Sequence, residues 1–214
     1  MTPRISIVMP CYNSEQHVEN SIASVLAQGF ADWELIVVDD GSTDASAERI
    51  ARFADARIRL IRQANAGVSA ARNRALSEVK SDLVAFLDAD DSWEPNFLAQ
   101  MHAALDAHPR AVLAYCGWQN RGLPGERGKP FVPPDYENAA KLESLLINCR
   151  WPIHAALTRY AAVIAAGGFD PRYANAEDYV LWLNVATTAP IVRVPQVLAI
   201  YHFHGSAQAS ANHA

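Results

Sequence analysis

Leu35-Ile36-Val37-Val38 runs directly into Asp39-Asp40-Gly41-Ser42-Thr43-Asp44, and this stretch decides the fold class. Consecutive apolar residues without alternation, most of them β-branched, describe a strand buried on both faces. The dense turn and capping signal that ends it leads into a helical pattern carrying Ala47, Ile50, Ala51 and Ala54. A doubly buried strand followed by a capped helix is the unit of a parallel sheet covered by helices.

The same unit recurs on either side. Upstream, the β-branched run Ile5-Ser6-Ile7-Val8-Met9 ends at Pro10, and Val18, Ile22, Val25 and Leu26 then recur at helical spacing, with Asn13 or Ser14 as the expected N-cap. Downstream, Arg57 to Arg62 alternates charged and apolar residues and reads as a half-exposed strand, followed by a helix-competent stretch from Ser69 to Val79. Leu83 to Leu87 is a second fully apolar strand, ending at Asp88-Ala89-Asp90-Asp91. Pro95 is placed to open a helix with Phe97, Leu98, Met101, Ala104 and Leu105 on one face, and Ala111 to Cys116 is a fifth strand. Ligands of such sheets bind beyond the carboxyl ends of the strands.

The rhythm breaks between Gly117 and Asn138, where Gly122, Pro124, Gly125, Gly128, Pro130, Pro133 and Pro134 cluster. No regular element is expected there, and a flexible loop of this length is usually a binding loop or a lid. The pattern resumes with a short helix around Leu142 to Ile147, an apolar run at Ala155 to Leu157, and a helix from Arg159 to Gly167-Gly168. A further helix follows Glu177-Asp178, and Val192 to His204 is strand-like.

Composition excludes several classes. Half of the 214 residues are apolar and 19% are charged, the balance of a soluble globular chain rather than a disordered one. No apolar run approaches the roughly 18 residues of a membrane helix, and Ile5 to Met9 is too short for a signal-peptide core, so a cytoplasmic protein is expected. A net charge of −5 with no basic stripe argues against nucleic acid as a partner. Cys11, Cys116 and Cys149 are widely spaced and odd in number, as reduced thiols would be.

Acidic residues mark the places where the sheet opens. Asp39 and Asp40 follow the second strand; Asp88, Asp90 and Asp91 follow the fourth; Glu177 and Asp178 open a late helix. Carboxylates crowded at strand ends repel one another unless a cation lies between them, and such hard oxygen donors suit Mg²⁺ or Mn²⁺ better than zinc. Capping explains Asp44 without any ligand. It explains Asp88 with Asp90 less well, because a turn needs only one cap.

Ile7-Val8-Met9-Pro10-Cys11-Tyr12-Asn13, Val37 to Asp44, Ala71-Arg72-Asn73 and Phe86-Leu87-Asp88-Ala89-Asp90-Asp91 occur in order. So do Gly167-Gly168-Phe169-Asp170, Glu177-Asp178-Tyr179-Val180-Leu181-Trp182 and Tyr201-His202-Phe203-His204. The set resembles the family 2 glycosyltransferases over nearly the whole chain. The resemblance implies an α/β GT-A fold: a mainly parallel, Rossmann-like central sheet covered by helices, with a smaller acceptor-binding half. Residues 1–116 would form the nucleotide-sugar-binding half, and 117–214 the acceptor-binding half of the same domain.

The resemblance also implies roles. Pro10, Tyr12 and Asn13 would line the nucleotide pocket, Tyr12 against the base. Asp39 would accept a hydrogen bond from a uracil-like imide, and Arg72 would approach the base or the diphosphate. In Asp88-Ala89-Asp90, the first carboxylate would hold ribose and the second the Mn²⁺ or Mg²⁺ that bridges the diphosphate, with Asp91 supporting the metal through water. Asp178 would be the base of an inverting transfer and Glu177 its acidic neighbour, although both equally suit the N-terminus of a helix. His204 would contact metal or diphosphate, with a plain structural role open beside it. Family members often carry Arg where this chain has Leu183 or Asn184, and His202. Trp118, Trp151 and Trp182 are candidates for stacking on an acceptor sugar, Trp182 more naturally as core.

The implied partners are a nucleotide-diphosphate sugar, UDP-linked by preference, and a saccharide or lipid-linked saccharide of surface polysaccharide synthesis. A lipid-linked acceptor would bring the enzyme peripherally to the inner face of a membrane. A haloacid-dehalogenase-type phosphatase would want Thr or Val soon after Asp88-Ala89-Asp90, and Asp91-Ser92 supplies neither. A dinucleotide oxidoreductase lacks its glycine fingerprint after the first strand. A catalytically silent sugar-nucleotide-binding module is the remaining alternative.

Overall fold

A computed structural model describes residues 3–173, 175–187 and 189–205. Its strands are β1 (Ile5–Cys11), β2 (Trp33–Asp39), β3 (Ile58–Arg62), β4 (Leu83–Phe86), β5 (Ser92–Trp93), β6 (Leu113–Arg121), β7 (Ala156–Arg159) and β8 (Ile191–His202). Between them lie helices α1 (Val18–Leu26), α2 (Ser46–Ala51), α3 (Val68–Leu76), α4 (Phe97–Ala107), α5 (Lys141–Ile147), α6 (Tyr160–Ala165) and α7 (Glu177–Ala186). The strands form one sheet in the order β3-β2-β1-β4-β7-β6-β8-β5. β3, β2, β1 and β4 pair parallel with one another and β8 is parallel to β6, whereas β7 is antiparallel to both β4 and β6, and β5 to β8.

Every residue of β1, β2 and β4 is buried, as their largely apolar sequences require, and the buried Ser6 hydroxyl donates to Glu34 Oε1 at 2.6 Å. α3 covers β1 and β2, and α4 covers β6 and β8. Trp93 stacks on Phe97 with ring centroids 4.2 Å apart, and Trp151 stacks on Tyr115 at 4.5 Å. Trp151 and Trp182 are thus core residues, out of reach of an acceptor. Trp118 is half-buried and meets Phe131 edge-on.

The region from Gly117 is more regular than its glycines and prolines suggest. β6 continues through it to Arg121, and Gly125–Gly128 forms a 3₁₀ turn. The register shifts on either side of Gly117, and a bridge joins Trp118 to Phe131. A Cβ at Gly117 would lie 2.6 Å from the Phe131 carbonyl oxygen, so this glycine permits a close approach of two chains rather than a turn. The Tyr115 hydroxyl then donates to the Pro134 carbonyl and accepts from the Tyr136 N–H, tying the returning segment to the sheet. Because β6 itself crosses residue 116, both halves of the chain share one sheet.

α1 begins at Val18, later than a cap at Asn13 or Ser14 would set it, because Ser14 to His17 form a preceding turn in which the Ser14 carbonyl accepts from the N–H groups of His17 and Val18. α4 likewise begins at Phe97 rather than Pro95.

Candidate active site

The carboxyl ends of β1, β2 and β4 open onto a cleft of about 440 Å³ lined by Pro10, Tyr12, Asp40, Asp88, Ala89 and Asp90, among others. Tyr12 is 51% exposed at its mouth, free to present a ring face to a flat ligand. Asn13 stands behind the mouth at φ +48°. Its Oδ1 accepts the Thr43 N–H at 2.9 Å and its own N–H donates to Ser42 Oγ at 3.0 Å, so it joins the exits of β1 and β2.

The adjacent acids after β2 divide their work. Asp39 is fully buried, and its carboxylate accepts from the Ser42 N–H at 3.1 Å and Arg62 Nε at 3.2 Å. Asp40 reaches the cleft wall. It accepts from the Gln63 side-chain amide at 2.7 Å and from the N–H groups of Ala66 and Gly67 at 2.9 and 2.8 Å, shaping the loop that enters α3. Gly67 at φ +89° completes that entry. Asp40 is thus a cleft residue that the sequence marked only as part of an acidic pair, and the loop residue Asn65, which also lines the cleft, carried no signal at all.

Beyond β4, Asp88, Ala89 and Asp90 face the cleft while Asp91 turns away from it. Asp91 Oδ1 accepts the His202 N–H at 3.0 Å, and Oδ2 lies 3.0 Å from His154 Nδ1. The side chains of this pair are 2% and 1% exposed, so Asp91 is spent on a buried partner. Burial disfavours the charge on His154, but Asp91, with Asp88 and Asp90 behind it, outweighs that effect and raises its pKa. Nothing in the sequence around His154 announced this partnership across 63 residues.

Among the described residues, no three His, Cys, Asp or Glu side chains converge as a ligand set, so Asp90, Asp91 and His204 do not form a metal cage. His204 is exposed at the end of β8 and stacks on His17 at 3.7 Å. His202 Nε2 lies 2.8 Å from Ser92 Oγ. The cleft nonetheless fits a hard divalent cation of the Mg²⁺ type. Such ions commonly take one or two carboxylates from the protein and fill their shell with water and substrate phosphates, and Asp88 and Asp90 supply oxygen donors on an open wall.

The late acidic pair is tied to the cleft's rim through Arg72. Glu177 and Asp178 begin α7, and Asp178 Oδ1 accepts the neighbouring Tyr179 N–H at 2.7 Å. Burial raises the pKa of Asp178; Arg72 opposes the shift, while Glu177 and Asp88 add to it. Arg72, on α3, donates to Glu177 Oε1 at 2.8 Å and to Asp88 Oδ1 at 2.7 Å, so the late helix and the Asp88–Asp91 turn meet at one guanidinium. Neither Glu177 nor Asp178 lines the cleft itself; Arg72 links their helix to Asp88, which does, and a carboxylate with raised proton affinity is suited to take a proton from a hydroxyl.

The sequence profile described as Glycosyl transferase family 2 matches residues 6–163, most of the chain. The chain belongs to glycosyl transferase family 2. A family 2 relative, the UDP-Glc:alpha-D-GlcNAc-diphosphoundecaprenol beta-1,3-glucosyltransferase WfgD of Escherichia coli, is 35% identical over 85% of this chain and 69% of its own length. The O-antigen biosynthesis protein RfbC of Myxococcus xanthus is 32% identical over 98% of this chain, which spans only 16% of that longer protein. Among solved structures, S. aureus TarS 1-349 in complex with UDP-GlcNAc superposes with a TM-score of 0.80 at 21% identity, covering 97% of this chain and 61% of that one. The mannosyltransferase PcManGT from Pyrobaculum calidifontis, in complex with GDP-Man and Mn²⁺, superposes at 0.71 with 20% identity, covering 94% of this chain and 57% of that one. These likenesses establish the GT-A fold. The family is one of glycosyltransferases, and one of the relatives is named for O-antigen biosynthesis.

Proposed function

We propose that this glycosyltransferase moves a sugar from a nucleotide diphosphate, UDP by preference, to a hydroxyl of a saccharide or lipid-linked saccharide, with inversion at the anomeric carbon. The observation that carries the reading is the 440 Å³ cleft, in which Tyr12, Asp88 and Asp90 share one wall system at the carboxyl edge of the sheet. Tyr12 stacks on the base, with Pro10, Asn13 and Asp39 shaping that end, and Asp88 takes the ribose. Asp90 would hold a divalent cation, Mn²⁺ or Mg²⁺, which supplies positive charge against the departing diphosphate. Asp178 removes the proton from the acceptor hydroxyl as its oxygen attacks the anomeric carbon and the sugar–phosphate bond breaks on the opposite face. Proximity of donor and acceptor supplies the rest of the rate.

UDP is favoured because one relative is named for UDP-Glc and one structural neighbour carries UDP-GlcNAc. The surface-polymer context follows the same relatives. A lipid-linked acceptor would place the reaction at the cytoplasmic face of a membrane; no described helix is long and apolar enough to cross one.

Calorimetric titration with UDP, GDP, CDP and dTDP, each with Mn²⁺ and again with excess chelator, tests the donor site. One nucleotide should bind, lose its affinity without metal, and bind far more weakly to Asp90→Ala. No binding of any nucleotide under either condition would refute the assignment. The anomeric configuration of the product, read by proton NMR, tests inversion.

A further inference from the structure

The motif Ala71-Arg72-Asn73 lies on α3, and its polar members turn toward the late half of the chain. Arg72 is 3% exposed, and its charge is balanced by a carboxylate from each side: Asp88 beyond β4 and Glu177 at the head of α7. Its Nε is buried with no hydrogen-bond partner among the described residues, so those carboxylates make its only hydrogen bonds there. The guanidinium carbon lies 5.1 Å from the centre of the Phe169 ring. Asn73 makes a reciprocal pair with the backbone of that residue, donating to the Phe169 carbonyl at 2.7 Å and accepting its N–H at 2.9 Å.

We infer that Arg72 is a positioning residue for the transfer reaction, a clamp that holds the helix bearing Asp178 in register with the donor-side turn bearing Asp88. The inference rests on Asp178 as the general base. Arg72 is not among the residues lining the cleft, and its side chain meets Glu177 and Asp88 instead, so the clamp acts through those two carboxylates. Glu177 is the handle by which α7 is gripped. Among the described residues, the charged and titratable groups acting on Asp178 are Arg72 from α3, Glu177 from its own helix, Asp88 from the turn after β4, and Cys149 from the segment before β7. Arg72 is the sole cation among them.

The test compares Arg72→Lys and Arg72→Met with the full wild-type chain. Arg72→Lys keeps the charge and loses the forked grip. It should lower kcat about tenfold or more while donor KM stays within about threefold, as misplacement of a reacting group does. Arg72→Met should show the same loss and also move the acidic limb of the kcat–pH profile upward. The carboxyl ¹³C titration of Asp178, assigned by its disappearance in Asp178→Asn, should move upward in Arg72→Met, with or without turnover. If Arg72→Met does not fold, Arg72→Met with Glu177→Gln removes one of the stranded carboxylates and is read by kcat against donor KM alone, because Glu177 itself raises the Asp178 pKa.

A donor KM raised tenfold or more with the Asp178 titration unmoved would make Arg72 a donor ligand and overturn the clamp. Unchanged kcat in both variants would also overturn it. Failure of the base assignment has a separate signature: Asp178→Asn would then transfer sugar at the wild-type rate.

Discussion

Asp178 illustrates how a residue suited to proton transfer weakens the fold that holds it. Its pKa is raised by burial, with Glu177 and Asp88 contributing and Arg72 opposing. A carboxyl whose folded pKa lies above its unfolded value favours folding at acid pH, and that contribution is lost as pH rises through the folded pKa. At neutral pH the charged form is therefore a burden. Asp178→Asn should abolish transfer yet raise the melting temperature by about 2 °C or more near pH 7.5. That gain should vanish as pH falls below the wild-type carboxyl's midpoint, which differential scanning calorimetry across pH can follow. His154 shares the sign of Asp178. Its pKa is raised because Asp91 outweighs burial, so the stability it contributes is present below about pH 6.5 and is lost as pH climbs through the higher folded value. Removing it strands Asp91: His154→Ala should cost roughly 3–5 kcal/mol by urea unfolding at pH 6. The cost should be smaller at pH 9.

Among the elements, α3 and the turn at Gly167-Gly168 depend on each other. Gly168 has φ +69°, and a Cβ there would lie 2.8 Å from Asn73 Oδ1, the atom that accepts the Phe169 N–H. Gly168→Ala should cost about 2 kcal/mol or more, from left-handed strain together with the broken hydrogen bond. Adding Asn73→Ala should cost less than its effect alone, because the contact it removes is already lost, and a double-mutant cycle by urea unfolding measures the difference. Glycine pairs of this kind are visible in a sequence; the partner that requires them is not. The apolar runs of β1, β2 and β4 could be read directly because burial on both faces writes itself as hydrophobicity without alternation. The acids at their ends could be read as ligand candidates because strand ends in parallel sheets are where ligands sit. β7 was harder, since four residues after a 3₁₀ turn carry almost no period. The partnerships of Arg72 with Glu177 and of Asp91 with His154 span 105 and 63 residues. Each residue could be found in the sequence, but the pairing belongs to the topology.

Across the whole molecule, one sheet passes through both halves of the chain, so cooperative unfolding in a single transition is expected. UDP with Mn²⁺ at a hundredfold excess over Kd should add about 2.7 kcal/mol of stability. That corresponds to a rise in Tm of about 5–10 °C for a domain of this size, readable by differential scanning fluorimetry. Two separate transitions, with only the first responding to nucleotide, would show the halves to be independent. The reversed direction of β7 has its own consequence for how such a scaffold can diversify. Its lead-in, with Cys149 and His154, arrives at the edge where the parallel strands end, while its exit at Arg159 leaves from the opposite edge. Segments inserted between β6 and β7 would therefore build up the wall around an incoming acceptor, whereas insertions just after β7 would grow on the far side. A lineage could retune what it glycosylates by lengthening one connection, leaving the donor machinery and every strand pairing as they are.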